Sequence, residues 1–367
     1  MHNFDVVALR EQLHAMPELG FQEVKTSNFV AEHLTELGYE IERGIGGTGV
    51  MAVVHGTEPG EVVLLRADMD ALPFKNEDGS IERIHACGHD GHTAMLLAAA
   101  KELKGKVRRG TLKFLFQPAE EVLTGATSVI ADGVIDDVDV AFGLHIRPTQ
   151  DCPTGSMCAA VNHTSSAFIK IDLKGRATHA SRPHLGVNCA EAAAMVTLAI
   201  AAIKIDPRLA WSAKVTGIHC GGAASNIIPD SAQIIVDARA QTNAAMDELV
   251  AKLRAAVAGA AAAFGAEATV NFGGPVIPAA EYDEDLTEEV RESIRRLIGE
   301  DKLAPDCGGG GEDFHFFKKH KPSIRAAYFG VGVGATPGLH ARDMHFDPEY
   351  LRNGLKVLVD LALKHVG

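Results

Sequence analysis

Three histidines, a thiol and a carboxylate fall within one short segment, His85-Ala-Cys87-Gly-His89-Asp90-Gly-His92. Thiolate, imidazole and carboxylate are metal-ligating groups, and Cys87 and His89, two residues apart, can reach one ion or a pair. The plainer alternative is a helix start capped by Asp90 with incidental histidines. Upstream, Arg66-Ala-Asp68-Met-Asp70-Ala-Leu-Pro73 ends a strand-like run with carboxylates at i and i+2, which share a side. For either acid alone, capping the turn before Pro73 is the alternative. Phe116-Gln-Pro118-Ala-Glu120-Glu121 sets two acids after another strand, Phe142-Gly-Leu144-His145 ends a third with histidine, and Gly338-Leu-His340 adds one more. Cys87, His89, Glu121, His145 and His340 are more side-chain ligands than one catalytic zinc with an open position takes. They suit two metal ions sharing a bridging ligand. Thiolate and imidazole favour zinc, while the carboxylate tolerates manganese.

The elements that must position these groups alternate in type. Helix signals run from Asp5 to Met16 and from Lys25 to Leu37, the second closed by Gly38. Strand-like runs follow at Val50–His55 and Val62–Ala67, then a helix over His89–Leu103, a strand at Leu112–Gln117, a helix near Gly125–Asp132 and a strand at Val138–Leu144. This order predicts an α/β sheet covered by helices, whose ligand site lies beyond the carboxyl ends of its strands. After Val161 the pattern changes. Phe168–Leu173, Ala213–His219 and Ala232–Arg239 read as strands, and Cys189–Ile203 and Met246–Phe264 as long helices. Two helices on a small antiparallel sheet make an inserted α+β domain. The chain then returns through a helix (Leu286–Ile298), a glycine-rich loop (Cys307–Gly311), a strand (Ala326–Val331) and a terminal helix (Pro348–His365). The expected organisation is a discontinuous catalytic domain, 1–162 and 274–367, interrupted by an insert at 163–273.

The 367 residues carry 35 Lys+Arg against 48 Asp+Glu, a net charge of −13, which argues against nucleic acid or an anionic membrane as partner. Hydrophobic residues at 46% and charged residues at 23% exclude disorder and collagen-like structure. No apolar run is long enough to span a membrane and the first residues do not read as a secretory signal, so a cytoplasmic location is expected. The six scattered cysteines contain no CxxC pair, which argues against a disulfide scaffold. Gly44-Ile-Gly46-Gly-Thr-Gly49 matches a dinucleotide-binding fingerprint, but a strand-like run follows it where a helix is needed, so it reads as a hairpin turn. Cys307–Gly311 likewise lacks the Lys-Ser/Thr of a phosphate loop.

The strings RADMDALP, HACGHDGHTAM, QPAEE, GLH, ATHASRPHLGVN, GGAASNIIPD and GGGGEDF occur in this order across nearly the whole chain. Together they resemble the di-metal amidohydrolases that include hippurate hydrolase, auxin-conjugate hydrolases and aminobenzoyl-glutamate hydrolase, relatives of carboxypeptidase G and succinyl-diaminopimelate desuccinylase. The resemblance implies a di-zinc-peptidase-like catalytic domain with a mixed sheet, and a ferredoxin-like insert serving as lid and dimerisation domain. It implies two divalent ions per chain, zinc or manganese with cobalt and nickel as further candidates, held by Cys87, His89, Glu121, His145 and His340, with Cys87 bridging. Glu120 would be the general acid/base, and Asp70 would orient a ligand. Asp68 stands where more distant relatives carry a histidine ligand and is left out of the metal set. In the insert, His179 would be an oxyanion donor, and Asn226 and Arg239 would contact the substrate carboxylate. Without the resemblance, His179 reads as a solvated loop residue and Arg239 as the ion-pair partner of Asp237 or a surface acid. The implied activity is hydrolysis of N-acyl amino acids by a homodimer paired through the insert, with His179 completing the partner's site. A dipeptidase or carboxypeptidase, or a non-catalytic metal-binding homologue, are the alternatives. Val236-Asp-Ala-Arg239 stands where a Gly-Thr-Val-Arg-like string is expected, and the loop from Pro73 to His85 is short for the family.

Overall fold

The computed structural model describes residues 2–367, whose contacts divide into two units: the residues up to Asn162 with Glu281–Gly367, and His163–Ala280. The first unit is built on an eight-stranded mixed sheet in the order Ile41–Ile45, Gly49–His55, Arg109–Gln117, Glu58–Asp68, Val140–Pro148, Arg325–Ala335, Met157–Cys158, Leu303–Ala304. The four strands from Arg109–Gln117 to Arg325–Ala335 run parallel, and the strands flanking them pair antiparallel. Parallel strands are covered on both faces, and Val140–Pro148 is accordingly buried at every position. Helix His89–Leu103 is apolar nearly all round after its first turn. It is buried at every position but Lys101 and Glu102, against Val6–His14 and Leu351–Val366. Asp5 starts the first of those partners by accepting from the amides of Val7 (3.1 Å) and Ala8 (3.3 Å).

Because the central strands are parallel, their carboxyl ends share one edge of the sheet. Asp68 ends one, Gln117 ends another and leads to Glu120–Glu121, His145 lies near the end of a third, and His340 follows the fourth.

Among strands of four or more residues, three regions escape the sequence pattern: Ile41–Ile45, the hairpin Leu72–Lys75/Ile81–Ile84, and Glu267–Phe272. All are mostly exposed or half-buried, so no hydrophobic run marks them. Gly44–Gly49 does form the turn of a hairpin, joining Ile41–Ile45 to Gly49–His55. The glycine-rich loop opens as a short strand, Cys307–Gly309, with Cys307 N donating to Ala160 O at 3.2 Å.

The second unit has a four-stranded antiparallel sheet ordered Trp211–Cys220, Ser231–Ala240, Ser165–Lys174, Glu267–Phe272, with helices Cys189–Ala201 and Asn243–Ala263. The chain order strand, helix, strand, strand, helix, strand is that of a ferredoxin-like α+β unit. Alternation along Ser165–Lys174 buries Ala167, Ile169, Ile171 and Leu173 against the helices. Residues 274–280 stay with this unit because Ser166 pairs with Ile277 and Ala280 N donates to His163 O. All six cysteines are free thiols, and among the described residues no helix is long and apolar enough to cross a membrane.

Candidate active site

The approach to helix His89–Leu103 turns on Gly88, which has φ 89° and whose Cβ, were there one, would lie 2.2 Å from Ile146 Cδ1. Only glycine fits both constraints. The turn sets Cys87 and His89 on either side of it, facing the carboxyl ends of the central strands.

Cys87 Sγ lies 3.3 Å from His145 Nε2 and 3.3 Å from His340 Nε2. Glu121 Oε1 lies 3.6 Å from His340 Nε2 and 3.8 Å from His89 Nε2. The donors fall into two trios that share the thiol: Cys87, His89 and His145, and Cys87, Glu121 and His340, with the ligand atoms of each mutually within 4.8 Å. His89 Nε2 and Glu121 Oε1 are buried without a hydrogen-bond partner, a costly state for polar atoms unless something electropositive sits between them.

Backbone and carboxylate partners fix which ring nitrogens are free. His145 Nδ1 donates to the Ile146 carbonyl (2.6 Å) and His89 Nδ1 to Asp70 Oδ1 (3.2 Å), so each ring presents the lone pair of Nε2 to the cluster. His92 is different. Its Nε2 accepts from Ile146 N (2.9 Å) and its Nδ1 donates to Asp68 Oδ1 (2.7 Å), which leaves it no lone pair for an ion. Asp68 is also committed, since Oδ2 accepts from Arg66 Nη1 at 2.6 Å.

Asp70 fastens three parts of the site. Beside the His89 ring, its Oδ1 accepts from Glu120 N (3.1 Å) and its Oδ2 from Glu121 N (2.9 Å). Glu120 is buried, with Oε2 3.9 Å from His89 Nε2, and one oxygen each of Glu120, Glu312 and Asp313 lie within 4.8 Å of one another.

Arg66, Gln117, Glu312 and Asp313 form a support that the sequence reading did not assign. The buried Arg66 guanidinium donates to Asp68, to Asp313 Oδ1 (2.7 Å) and to Gln117 Oε1 (3.0 Å), and lies 3.1 Å from Glu312 Oε1. Tyr328 OH donates to Glu312 Oε2 at 2.5 Å. An arginine ending the apolar run Val62–Leu65 on a central strand was the available signal, because a buried guanidinium must find carboxylates.

The charge balance is lopsided. Six acids, Asp68, Asp70, Glu120, Glu121, Glu312 and Asp313, belong to the cluster, and its one buried guanidinium meets only Asp68, Glu312 and Asp313. Burial pushes Glu121 up to about 7 and Asp313 up to about 8. Glu120 is held well above the ordinary carboxylate range by burial and then by Glu312, Asp313 and Glu121. Such a site is short of positive charge, and with its soft thiol and oriented imidazoles it fits a pair of divalent cations.

In the second unit, Thr178–His179 pairs with Ile227–Ile228, and Ala180 N donates to Asn226 O (2.9 Å), which sets His179 and Asn226 side by side. His179 is exposed, and its Nδ1 accepts from Ser181 N at 3.1 Å. An amide can only donate, so in the neutral ring the proton sits on Nε2, which is free to donate. Arg239 lies on strand Ser231–Ala240 with its fork closed on Asp237: Nε to Oδ1 2.9 Å, Nη2 to Oδ2 3.0 Å. The structure thus gathers Asp70, Cys87, His89, Glu120, Glu121, His145 and His340 in the first unit, pairs His179 with Asn226 in the second, and gives Arg239 an acid of its own strand as partner.

An open α/β sheet that collects thiol, imidazole and carboxylate donors at the carboxyl ends of its parallel strands has the construction of a metal-dependent hydrolase. Residues 64–364 match peptidase family M20/M25/M40, and the chain belongs to that family. It is 33% identical to the hippurate hydrolase of Campylobacter jejuni over 98% of this chain and 96% of that protein. With the N-acetyl-L-cysteine deacetylase of Bacillus subtilis it shares 34% identity over 89% of this chain and 80% of that one. The solved structure of a dinuclear metal-binding M20 peptidase from Bacillus subtilis superimposes with a TM-score of 0.81 at 28% identity, covering 98% of this chain and 97% of that one.

Proposed function

We propose that this metal-dependent amidohydrolase cleaves the amide bond of N-acyl amino acids, releasing a carboxylic acid and a free amino acid. The observation that carries the reading is the pair of donor trios sharing the Cys87 thiol, with Glu120, a carboxylate outside both, beside them. Cys87, His89 and His145 would hold one ion and Cys87, Glu121 and His340 the other, zinc or manganese by donor type. Bound there, the two ions would supply Lewis acidity toward water and toward the scissile carbonyl.

The chain's own groups do the rest. Glu120 accepts a proton from the attacking water, and burial beside Glu312 and Asp313 raises its hold on that proton until it passes to the leaving amine. Asp70 keeps the peptide units of Glu120 and Glu121 and the His89 ring in register for this transfer. His179 donates from Nε2 to the developing oxyanion, a contribution of about 3 kcal/mol for one aimed donor. Arg239 exchanges Asp237 for the substrate carboxylate, with Asn226 alongside. The exchange is cheap, because a half-exposed ion pair is worth about 1 kcal/mol or less. The edge strand Trp211–Cys220, with Ile218 at 48% exposure, offers a surface for pairing two copies. We extend the reading to a homodimer in which His179 serves the site of the partner subunit, working in the reducing cytoplasm that suits six free thiols.

A panel of acetyl, benzoyl, indoleacetyl and aminobenzoyl amino acids and of free dipeptides, assayed with zinc, manganese and cobalt, tests the reading. N-acyl amino acids should be cleaved in preference to dipeptides, and Glu120→Gln should lose at least about a hundredfold in kcat while keeping both ions. Near-normal turnover by Glu120→Gln would refute the mechanism.

A further inference from the structure

Among the described residues, four other than glycine have φ in the left-handed region: Phe21 (62°), Ala119 (58°), Leu123 (60°) and His340 (64°). A side chain with a Cβ is strained there, and such strain persists only where the surroundings impose it. Ala119 and Leu123 bracket Glu120–Glu121, and His340 is one of the donors, so three of the four belong to the site already described. Phe21 does not.

The turn that carries Phe21 is nevertheless stitched to that site. Ala71 N, next to Asp70, donates to Glu18 O at 2.7 Å, and Ala119 N, next to Glu120, donates to Glu23 Oε1 at 2.8 Å. Between those two fastenings, a Cβ on Gly20 would lie 3.1 Å from Ala119 Cα and 3.2 Å from Val122 Cγ2, so the turn lies directly on the loop that bears the two glutamates. Phe21 extends from this junction over the hairpin turn at Gly47, its Cδ1 3.4 Å from where a Cβ there would sit. Phe21 is 41% exposed and Val122, the residue after Glu121, is 51% exposed. Neither is among the side chains packed on the core of the unit. A strained backbone therefore holds the Phe21 ring partly open to water on the turn that lies against the glutamate loop, and Val122 adds an exposed isopropyl group one residue from Glu121, neither of them packed on the core.

We propose that Phe21 and Val122 form a shelf for the acyl group of the substrate and make this enzyme prefer aromatic or long aliphatic acyl groups over acetyl. The inference rests on the N-acyl amino acid reading given above. Of the parts of such a substrate, the amide and the carboxylate call for polar partners, and only the acyl tail gains from apolar surface. The strain at Phe21 is the cost of placing that surface beside the reacting groups.

The test measures kcat/KM for N-benzoyl and N-acetyl derivatives of one amino acid with the metal-loaded wild type, Phe21→Gly and Val122→Ser, together with metal content and thermal midpoint. Phe21→Gly removes the ring and relieves the left-handed strain, so its midpoint should equal or exceed that of the wild type. The wild type should favour benzoyl, and the benzoyl-to-acetyl ratio should fall about tenfold in each variant. A wild type that prefers acetyl, or a ratio that stays put in both variants while turnover persists, overturns the shelf and leaves the amidohydrolase reading standing. A wild type that cleaves no N-acyl amino acid overturns the parent reading and the shelf with it.

Discussion

Three donors converge on the two oxygens of Asp70: Oδ1 accepts from His89 Nδ1 (3.2 Å) and Glu120 N (3.1 Å), and Oδ2 from Glu121 N (2.9 Å). Asp70→Asn keeps the shape and replaces one acceptor with an NH2 that faces a donor. If the amide nitrogen takes the Oδ1 position, two bonds are lost, so it takes the Oδ2 position and the Glu121 amide is left opposed. The loss is one charge-assisted hydrogen bond, about 1.5–3 kcal/mol. Because Glu121 is a proposed ligand, that energy falls largely on metal binding, and about 10- to 100-fold in affinity is the matching expectation. Competition with a graded chelator measures the affinity, and kcat at saturating metal measures what remains of positioning. Saturating metal should restore most of the lost activity, because the Glu120 amide and the His89 ring still have Oδ1. An Asp70→Asn enzyme with wild-type metal affinity and wild-type kcat would refute the argument that these three contacts set the site.

Cys87→Ser should lower the bound metal from two ions per chain to one or fewer by elemental analysis, since the thiol belongs to both donor trios and a hydroxyl is a far poorer ligand; two retained ions would rule out a shared thiolate. Burial pushes His85 down to about 4, so the unfolded chain, with an imidazole near 6.5, binds the extra proton first. Stability should therefore fall as pH drops from about 6.5 through about 4, by up to roughly 3 kcal/mol, and His85→Phe should flatten that slope in denaturant titrations of chelated protein. If His179 acts across a dimer, mixing Glu120→Gln with His179→Ala subunits should restore about a quarter of wild-type activity, because half of the randomly mixed dimers are hybrids and one of the two sites in each is intact; no recovery despite proven subunit exchange would place His179 in its own chain's site or outside the chemistry.

The donor residues were legible because cysteine, histidine and paired acids at strand ends are scarce and have few structural uses. The α/β alternation that places them shows as hydrophobic runs. What stayed hidden is partnership over long separations and short ones alike. Arg66 and Asp313 are 247 residues apart, so nothing local announces that the GGGGEDF acids close a buried charge network with Arg66 beside Glu120. Arg239 and Asp237 are two apart on one strand, hence on one face, and the sequence contained that pairing; only the geometry shows the fork closed. His89 and His92 make the point most sharply. Both are buried at the start of one helix and both donate from Nδ1 to an aspartate. The difference is a single backbone amide, Ile146 N, which claims the remaining lone pair of His92 and has no counterpart at His89. A histidine's capacity to hold an ion is thus decided by whatever meets its second nitrogen, and in this fold that is settled by the register of strand Val140–Pro148 against the helix, a tertiary fact that residue type and spacing do not encode.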